Sequence, residues 1–226
     1  SNKSKEVVIV SAVRTPIGAY KGSLKTMKSH HLGTIVIKEV LKRSEFKKDE
    51  IDEVIIGQVL TAGAGQNPAR QATINAGIPT TKPAHIVNQV CGSGLRAVIS
   101  GYQTIKLGES LTIIAGGQEN MSIAPHSIFY RDEKKFLEEK LLDTMINDGL
   151  IDAFNNYHMG VTAENVAEKF GISRQDQDEF ALNSQKKTEE AFIKNKFDDE
   201  LIKINQDGCA LDKDEHPRIG LKMADL

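Results

Sequence analysis

Cys91 lies in the run NQVCGSGLRAV, residues 88 to 98, between an apolar β-like stretch and an amphipathic one. A thiol at a strand-to-helix junction meets unpaired backbone amides and the positive end of the helix dipole, a setting that favours thiolate over thiol. A thiolate is a nucleophile able to take an acyl group, and the amide of the same residue points to where an oxyanion would form. Gly92 and Gly94 carry no β-carbon and so let a substrate or a second backbone come close. The same residues equally suit a small buried cysteine beside a tight turn. Arg96, five residues on, either biases the thiol or serves a structural salt bridge. Of the histidines at 30, 31, 85, 126, 158 and 216, the sequence singles out none as the base that a cysteine hydrolase needs.

The elements that must place this cysteine alternate in period. Apolar, β-branched runs at Val7–Val10, Val54–Ile56, Ile86–Val90 and Leu111–Ala115 predict buried strands. Between them come helical spacings: Leu32, Ile35, Val36, Val40 and Leu41; then about Pro68 to Ala76; then Leu95, Val98, Ile99, Tyr102 and Ile105. The order βαβαβαβ predicts an α/β layered fold with a mainly parallel sheet, because parallel neighbours need a crossover long enough to hold a helix. Near residue 120 the character changes, and a boundary is placed there, giving regions 1–120 and 121–226. The second is α-rich, with a helix over about Ala163–Phe170 and a longer one opened by Ser173 and Asp176 as a capping box and continued by Phe180, Ala181, Ser184, Thr188 and Ala191. A short strand near Glu200–Ile204 and a turn-rich tail follow. The charged run 131–140 reads as a solvated loop.

Composition removes several classes. A net charge of -2, from 29 basic and 31 acidic residues, supplies no field that would gather nucleic acid or an anionic membrane surface. Two cysteines more than a hundred positions apart form neither a disulfide framework nor a zinc cluster, so no metal is expected and cytoplasm is the expected compartment. Apolar runs of about five residues fall far short of the roughly 20 a membrane helix needs. The opening SNKSK lacks the apolar core of a signal peptide and is expected to stand outside the fold.

NQVCGSGLRAV resembles the nucleophile segment of the thiolases, and the resemblance runs along nearly the whole chain. VVIVSAVRTPIGAYKGSL resembles the family's opening strand and loop, GQVLTAGAGQNPARQA at 57–72 its second strand and following loop, and AGGQENMSIAP at 115–125 the segment leaving its fourth strand. DGLIDAFNNYHMGVTAENVAEKFGISRQDQDEFALNSQ at 148–185 resembles the loop region over the substrate, and DEHPR at 214–218 a later signature. Five fragments in family order, besides the nucleophile segment, make this specific. The resemblance implies a layered thiolase-like fold of two similar halves with the nucleophile helix buried centrally. It also implies acyl transfer between coenzyme A thioesters with Cys91 as acyl carrier, acetyl-CoA and acetoacetyl-CoA as substrates, and no covalently bound cofactor.

Other roles come only through that resemblance. His158 and Met159, in YHMG, resemble residues lining the acyl and pantetheine pocket of the short-chain biosynthetic members. Leu150 and Gln185 resemble positions near the coenzyme A moiety, and Arg218 lies where basic residues approach its nucleotide end. The loop of Arg70 corresponds to a dimer interface, and a homodimer or homotetramer is expected of the full-length parent. Glu119 and Asn120 suit either the nucleophile's surroundings or a packed polar turn. Cys209, in DGCALD, does not match the CxGxG setting of the family's second catalytic cysteine and reads as a turn or pocket-rim residue. That motif, the GHP histidine and an asparagine-containing motif belong to segments beyond those matched here. The expectation is of an N-terminal part with its C-terminal half absent, incompetent for turnover alone. Degradative 3-ketoacyl-CoA thiolysis and a catalytically silent coenzyme A-binding or assembly module are the alternatives.

Overall fold

The computed structural model describes residues 6–130, 141–206 and 208–226; the charged run at 131–140 lies outside them. Three parallel strands form the central sheet: β1 (Glu53–Gly57) in the middle, β2 (Ala84–Val87) on one side and β3 (Ile113–Gly117) on the other. Val54 pairs with Ala84 and Ile114, and Ile56 with Ile86 and Gly116. The mainly parallel sheet with intervening helices agrees with the expected α/β class.

Alternation along β1 assigns its two faces. Val54 and Ile56 pack with Ile37 and Leu41 of α1 (Ser29–Ser44) and with Ala69, Ala72 and Ala76 in and just beyond α2 (Pro68–Asn75), all buried. The other face receives α3 (Ser93–Leu107) through its small residues. Ser93, Ala97 and Gly101 are buried at a spacing of four, and a β-carbon at Gly101 would stand 3.2 Å from Ile113 and 3.6 Å from Ala115. A stripe of small side chains is what lets a helix lie this close to a sheet.

The opposite face of α3 is apolar and uncovered. Leu95 is 68% exposed, and Val98, Ile99 and Tyr102 are exposed with it. Within the described residues α3 is buried on its sheet side only, whereas the central burial that the resemblance implies belongs to two halves packed together.

A correction concerns Val7–Val10. Val8, Ile9 and Val10 are exposed, and no strand is formed there. An apolar β-branched run becomes a strand only when a neighbour accepts its ladder of hydrogen bonds. Among the described residues the central sheet has three strands, and this run joins none of them. The expected strand at 200–204 is also displaced, since the short hairpin is β6 (Ile204–Gln206) with β7 (Cys209–Leu211).

Beyond residue 120 come β4 (His126–Ser127) paired with β5 (Leu142–Asp143), α4 (Thr144–Gly149), α5 (Met159–Phe170) and α6 (Arg174–Ile193). Ser173 caps α6 with Asp176 in the expected capping box: the Ser173 oxygen accepts from the Asp176 amide at 3.1 Å, and the Asp176 carboxylate accepts from the Ser173 amide at 2.9 Å. The hairpin β6–β7 returns to the start of the chain, where Ile204 and Cys209 join Leu24, Met27 and Leu32 in a second core. Cys209 is buried, with its sulfur 3.5 Å from the Thr26 hydroxyl, so it is a core residue and not part of a pocket rim.

The DEHPR segment explains why residues 14–23 hold their course. Asp214 accepts from Arg14 at 2.7 and 3.0 Å and from the Ile17 amide at 2.8 Å, while Glu215 accepts from the Ala19 amide at 2.7 Å and the Ser23 hydroxyl at 2.5 Å. Burial raises the Asp214 pKa, but the Arg14 guanidinium and the Ile17 amide outweigh it and hold the carboxyl below its ordinary value. Asp214→Ala is expected to cost about 2 kcal/mol, the scale of charge-assisted bonds lost together. Its urea midpoint, with limited proteolysis inside 14–23, checks this; wild-type values for both would remove Asp214 from the fold's supports.

Candidate active site

Cys91 follows the C-terminal end of β2, the edge of a parallel sheet where ligand crevices form. The strand stops at Val87, α3 begins at Ser93, and Gly92 is the N-cap. Cys91 therefore stands one residue before the cap, in the connecting turn and ahead of the helix's first turn. The reason is Val90, whose φ of +48° takes the chain out of the extended conformation. Residues 88–93 then close on themselves. The Gly92 amide donates to the Gln89 carbonyl at 3.0 Å and the Ser93 amide to the Val90 carbonyl at 3.1 Å, while the Val90 amide donates to the Asn88 side chain at 2.9 Å. Cys91 is exposed on this turn.

The turn rests on the sheet through glycine. A β-carbon on Gly57, at the end of β1, would meet the Ser93 carbonyl carbon, the Gly94 nitrogen at 2.5 Å and the Ser93 oxygen at 2.6 Å. Gly117 likewise lies against the Gly94 α-carbon. Backbone meets backbone at this corner, which only residues without β-carbons permit.

Arg96 donates to the Gln89 side-chain oxygen at 2.6 Å, which makes it a brace for the turn. Four of the histidines have other engagements. His30 meets His31 edge-on, His85 pairs with Glu53 at 3.0 Å, and His126 lies 3.9 Å from Asp143.

Beneath the turn, the ends of β1 and β3 are joined by buried amides. Gln118 donates to Gln58 at 2.8 Å, and Gln58 donates to Ser29 at 3.0 Å and to the Leu60 carbonyl at 2.9 Å. Glu119 accepts from the Val59 and Leu60 amides at 2.8 and 3.3 Å, and its second oxygen is buried with no partner. Asn120 holds the Leu24 and Met27 carbonyls at 3.0 and 2.6 Å. These two residues build a packed polar turn.

Burial pushes the Glu119 carboxyl above its ordinary 4.5, against the backbone amides of Val59, Leu60 and Asn120 that favour the anion. A raised folded-state value means that its contribution to stability is complete below the unfolded value and is lost as pH rises through the folded one. Glu119→Gln is accordingly expected to keep more of its acid-pH stability than the wild type as pH is raised from 4.5. Urea midpoints across that range test it, and parallel curves would refute it.

The remaining expected residues fall into two groups. Leu150, His158 and Met159 are together: the Met159 amide donates to the Leu150 carbonyl at 2.8 Å, and His158 is bridged to Ile151. His158 caps α5, its Nδ1 accepting from the Gly160 amide at 3.0 Å. In the neutral ring this leaves Nε2 as the donor, exposed on the surface. Gln185 and Arg218 form the second group, joined by the Arg218 amide donating to the Gln185 side chain at 2.9 Å. Arg70 is spent on its own loop, donating to the Thr80 carbonyl at 2.6 Å and to the Lys82 carbonyl.

Ser93 and Gly57 escaped the sequence reading. Both lie in glycine-containing runs at element ends, but a backbone contact between distant segments leaves no periodicity to read.

Among the described residues, no group of three or more His, Cys, Asp or Glu side chains is placed to hold a metal ion, and no helix is long and apolar enough to cross a membrane.

Comparison with known proteins places this geometry. Residues 7–226 match the family model described as thiolase, N-terminal domain. The chain is 51% identical over 219 residues to an acetyl-CoA acetyltransferase of Paracoccus denitrificans, an alignment covering 95% of this chain and 56% of that protein. It is 51% identical over 221 residues to one of Cupriavidus necator, with the same coverage, and 50% identical to the cytosolic acetyl-CoA acetyltransferase of Rattus norvegicus over 96% of this chain and 56% of that protein. The chain thus spans about half the length of the curated relatives it matches. A turn-borne cysteine at the carboxyl edge of a parallel sheet and a family match over almost every residue lead to one conclusion: the chain belongs to the thiolase family, matching its N-terminal domain.

Proposed function

We propose that these residues carry the acyl-accepting part of an acetyl-CoA acetyltransferase, with Cys91 as the nucleophile. The observation that carries the reading is the strained turn presenting the Cys91 side chain outward at the carboxyl edge of the sheet, in a chain half identical to enzymes of that name. The Cys91 sulfur attacks the thioester carbonyl of acetyl-CoA, the carbon–sulfur bond to coenzyme A breaks, and the departing thiolate takes up a proton. An acetyl thioester on Cys91 remains. In the whole reaction a second acetyl-CoA loses an α-proton to a base, condenses with this acetyl group, and leaves as acetoacetyl-CoA with the cysteine restored.

Leu150 is assigned to the coenzyme A moiety, and His158 and Met159 to the acyl and pantetheine side of the substrate. The Nδ1 cap orients the ring so that Nε2–H is the hydrogen-bond donor offered to it. Gln185 and Arg218 are assigned to the coenzyme A side. The Gln185 oxygen already holds the Arg218 amide, which leaves the guanidinium to meet the nucleotide phosphates. Arg70 contributes to a dimer contact indirectly, by stiffening the 80–84 loop. The uncovered apolar face of α3 supports a larger assembly than these residues form alone, by homodimer or homotetramer formation of the parent or by self-association of this chain. Two free, widely separated cysteines support the cytoplasm as the compartment.

The test is chemical. Incubation of the chain with acetyl-CoA, followed by mass spectrometry of the Cys91 peptide, is expected to show an acetyl thioester without sustained acetoacetyl-CoA release. Coenzyme A binding with no acetylation would favour a silent binding module. Continuous turnover would show that these 226 residues need no further catalytic groups.

A further inference from the structure

The residue before Cys91 is held in a conformation that its side chain resists. Val90, β-branched, has a φ of +48°, where the crowding of its Cβ branches is greatest and such residues are rarely found. Something must over-determine that torsion.

The Ser93 side chain does so from both sides. Ser93 is 4% exposed. Its Oγ accepts from the Gln89 amide at 2.9 Å and donates to the Val90 carbonyl at 2.6 Å, so one hydroxyl ties the peptide group before Gln89 to the one after Val90 and constrains the torsions between them. The other side-chain braces, Asn88 to the Val90 amide and Arg96 to Gln89, are exposed and compete with water, and the two backbone bonds of the turn remain whichever side chain stands at 93. Ser93 is itself immobilised, because its carbonyl lies against the side-chain-free Gly57.

We propose that Ser93 is a positioning residue for Cys91: its buried hydroxyl keeps Val90 in the left-handed conformation and so fixes where the Cys91 sulfur stands ahead of α3. The inference rests on the reading of Cys91 as nucleophile and deepens it. Ser93 touches no substrate and acts through the backbone of residues 89–91. Without the hydroxyl, the Gln89 amide and the Val90 carbonyl lose this partner. Val90 then relaxes to negative φ and carries Cys91 away from its place.

The experiment uses the chain as it is. Iodoacetamide modification of Cys91 is followed by peptide mass spectrometry, with the buried Cys209 in the same molecule reporting global opening. Ser93→Ala is expected to slow Cys91 alkylation about tenfold while Cys209 stays protected, a change on the scale of one released strained torsion. Ser93→Thr, which retains the hydroxyl, should restore the rate. In a Val90→Gly background, where positive φ is free of steric cost, Ser93→Ala should alter the rate by less than about twofold. An unchanged or faster rate in Ser93→Ala, or an equal slowing with and without Val90→Gly, overturns the proposal. If Ser93→Ala exposes Cys209 as well, Val90→Gly added to it must restore protection, and failure to do so also overturns it. Failure of acetyl-CoA to acetylate the wild-type cysteine would instead sink the nucleophile reading, leaving the alkylation comparison, which needs no coenzyme A, intact.

Discussion

Gly57→Ala is expected to destabilise the chain by about 3 kcal/mol and to take Cys91 out of position with it. The added methyl would stand 2.5 Å from the Gly94 nitrogen and 2.6 Å from the Ser93 oxygen. Those atoms are backbone at the start of a helix already seated on the sheet, so no side chain can rotate to make room. Relief requires α3 to lift from β1, giving up the buried contacts of Ala97 and Gly101 or straining the helix, and overpacking of this kind costs about 1–3 kcal/mol or more. Gly116→Ala is the matched control, because its β-carbon would meet nothing within 4 Å. That substitution is expected to change stability by less than about 1 kcal/mol, with any gain coming from the restricted unfolded chain. Urea midpoints of the two variants decide the matter. Equal midpoints would mean that the corner between β1 and α3 is looser than its backbone contacts require.

The second large effect is chemical. Cys91→Ala is expected to reduce acetyl transfer from acetyl-CoA to the chain by at least about 10³-fold, since removal of a nucleophile leaves only binding and polarisation. Because Cys91 is exposed, the same change should leave the urea midpoint within about 0.5 kcal/mol of wild type. The pairing is what makes the result interpretable: chemistry lost with the fold intact. Acetylation surviving in the variant would move the acceptor elsewhere, and Cys209, buried against Thr26, is the poorer candidate for it.

The helices were legible because each writes its burial into a local spacing. Leu32 and Leu41 mark the buried side of α1, and Ser173 with Asp176 announces the start of α6. The strands were less so. Val54–Ile56 reads as a strand and is one, the central strand of the sheet, whereas Val7–Val10 reads as strongly and pairs with nothing described. Apolarity signals a wish for burial, but pairing depends on a neighbour whose position no local pattern encodes. Val90 misled for a related reason. Its branched side chain argues for extended backbone, and a hydroxyl three residues later overrides that preference.

Alone, the order of residues determined a cysteine between a strand and a helix, the alternation that builds a parallel sheet, and membership of a family whose motifs are short and contiguous. Tertiary structure decided where the cysteine stands: one residue ahead of the helix cap, on a turn held by Ser93 and seated on Gly57. It also decided that the DEHPR carboxylates clamp residues 14–23 and that Gln185 meets Arg218. The division follows from range. Periodicity and capping act within a few residues of chain, while close approach of backbones and bonds across 30 to 200 positions exist only once the chain has closed on itself.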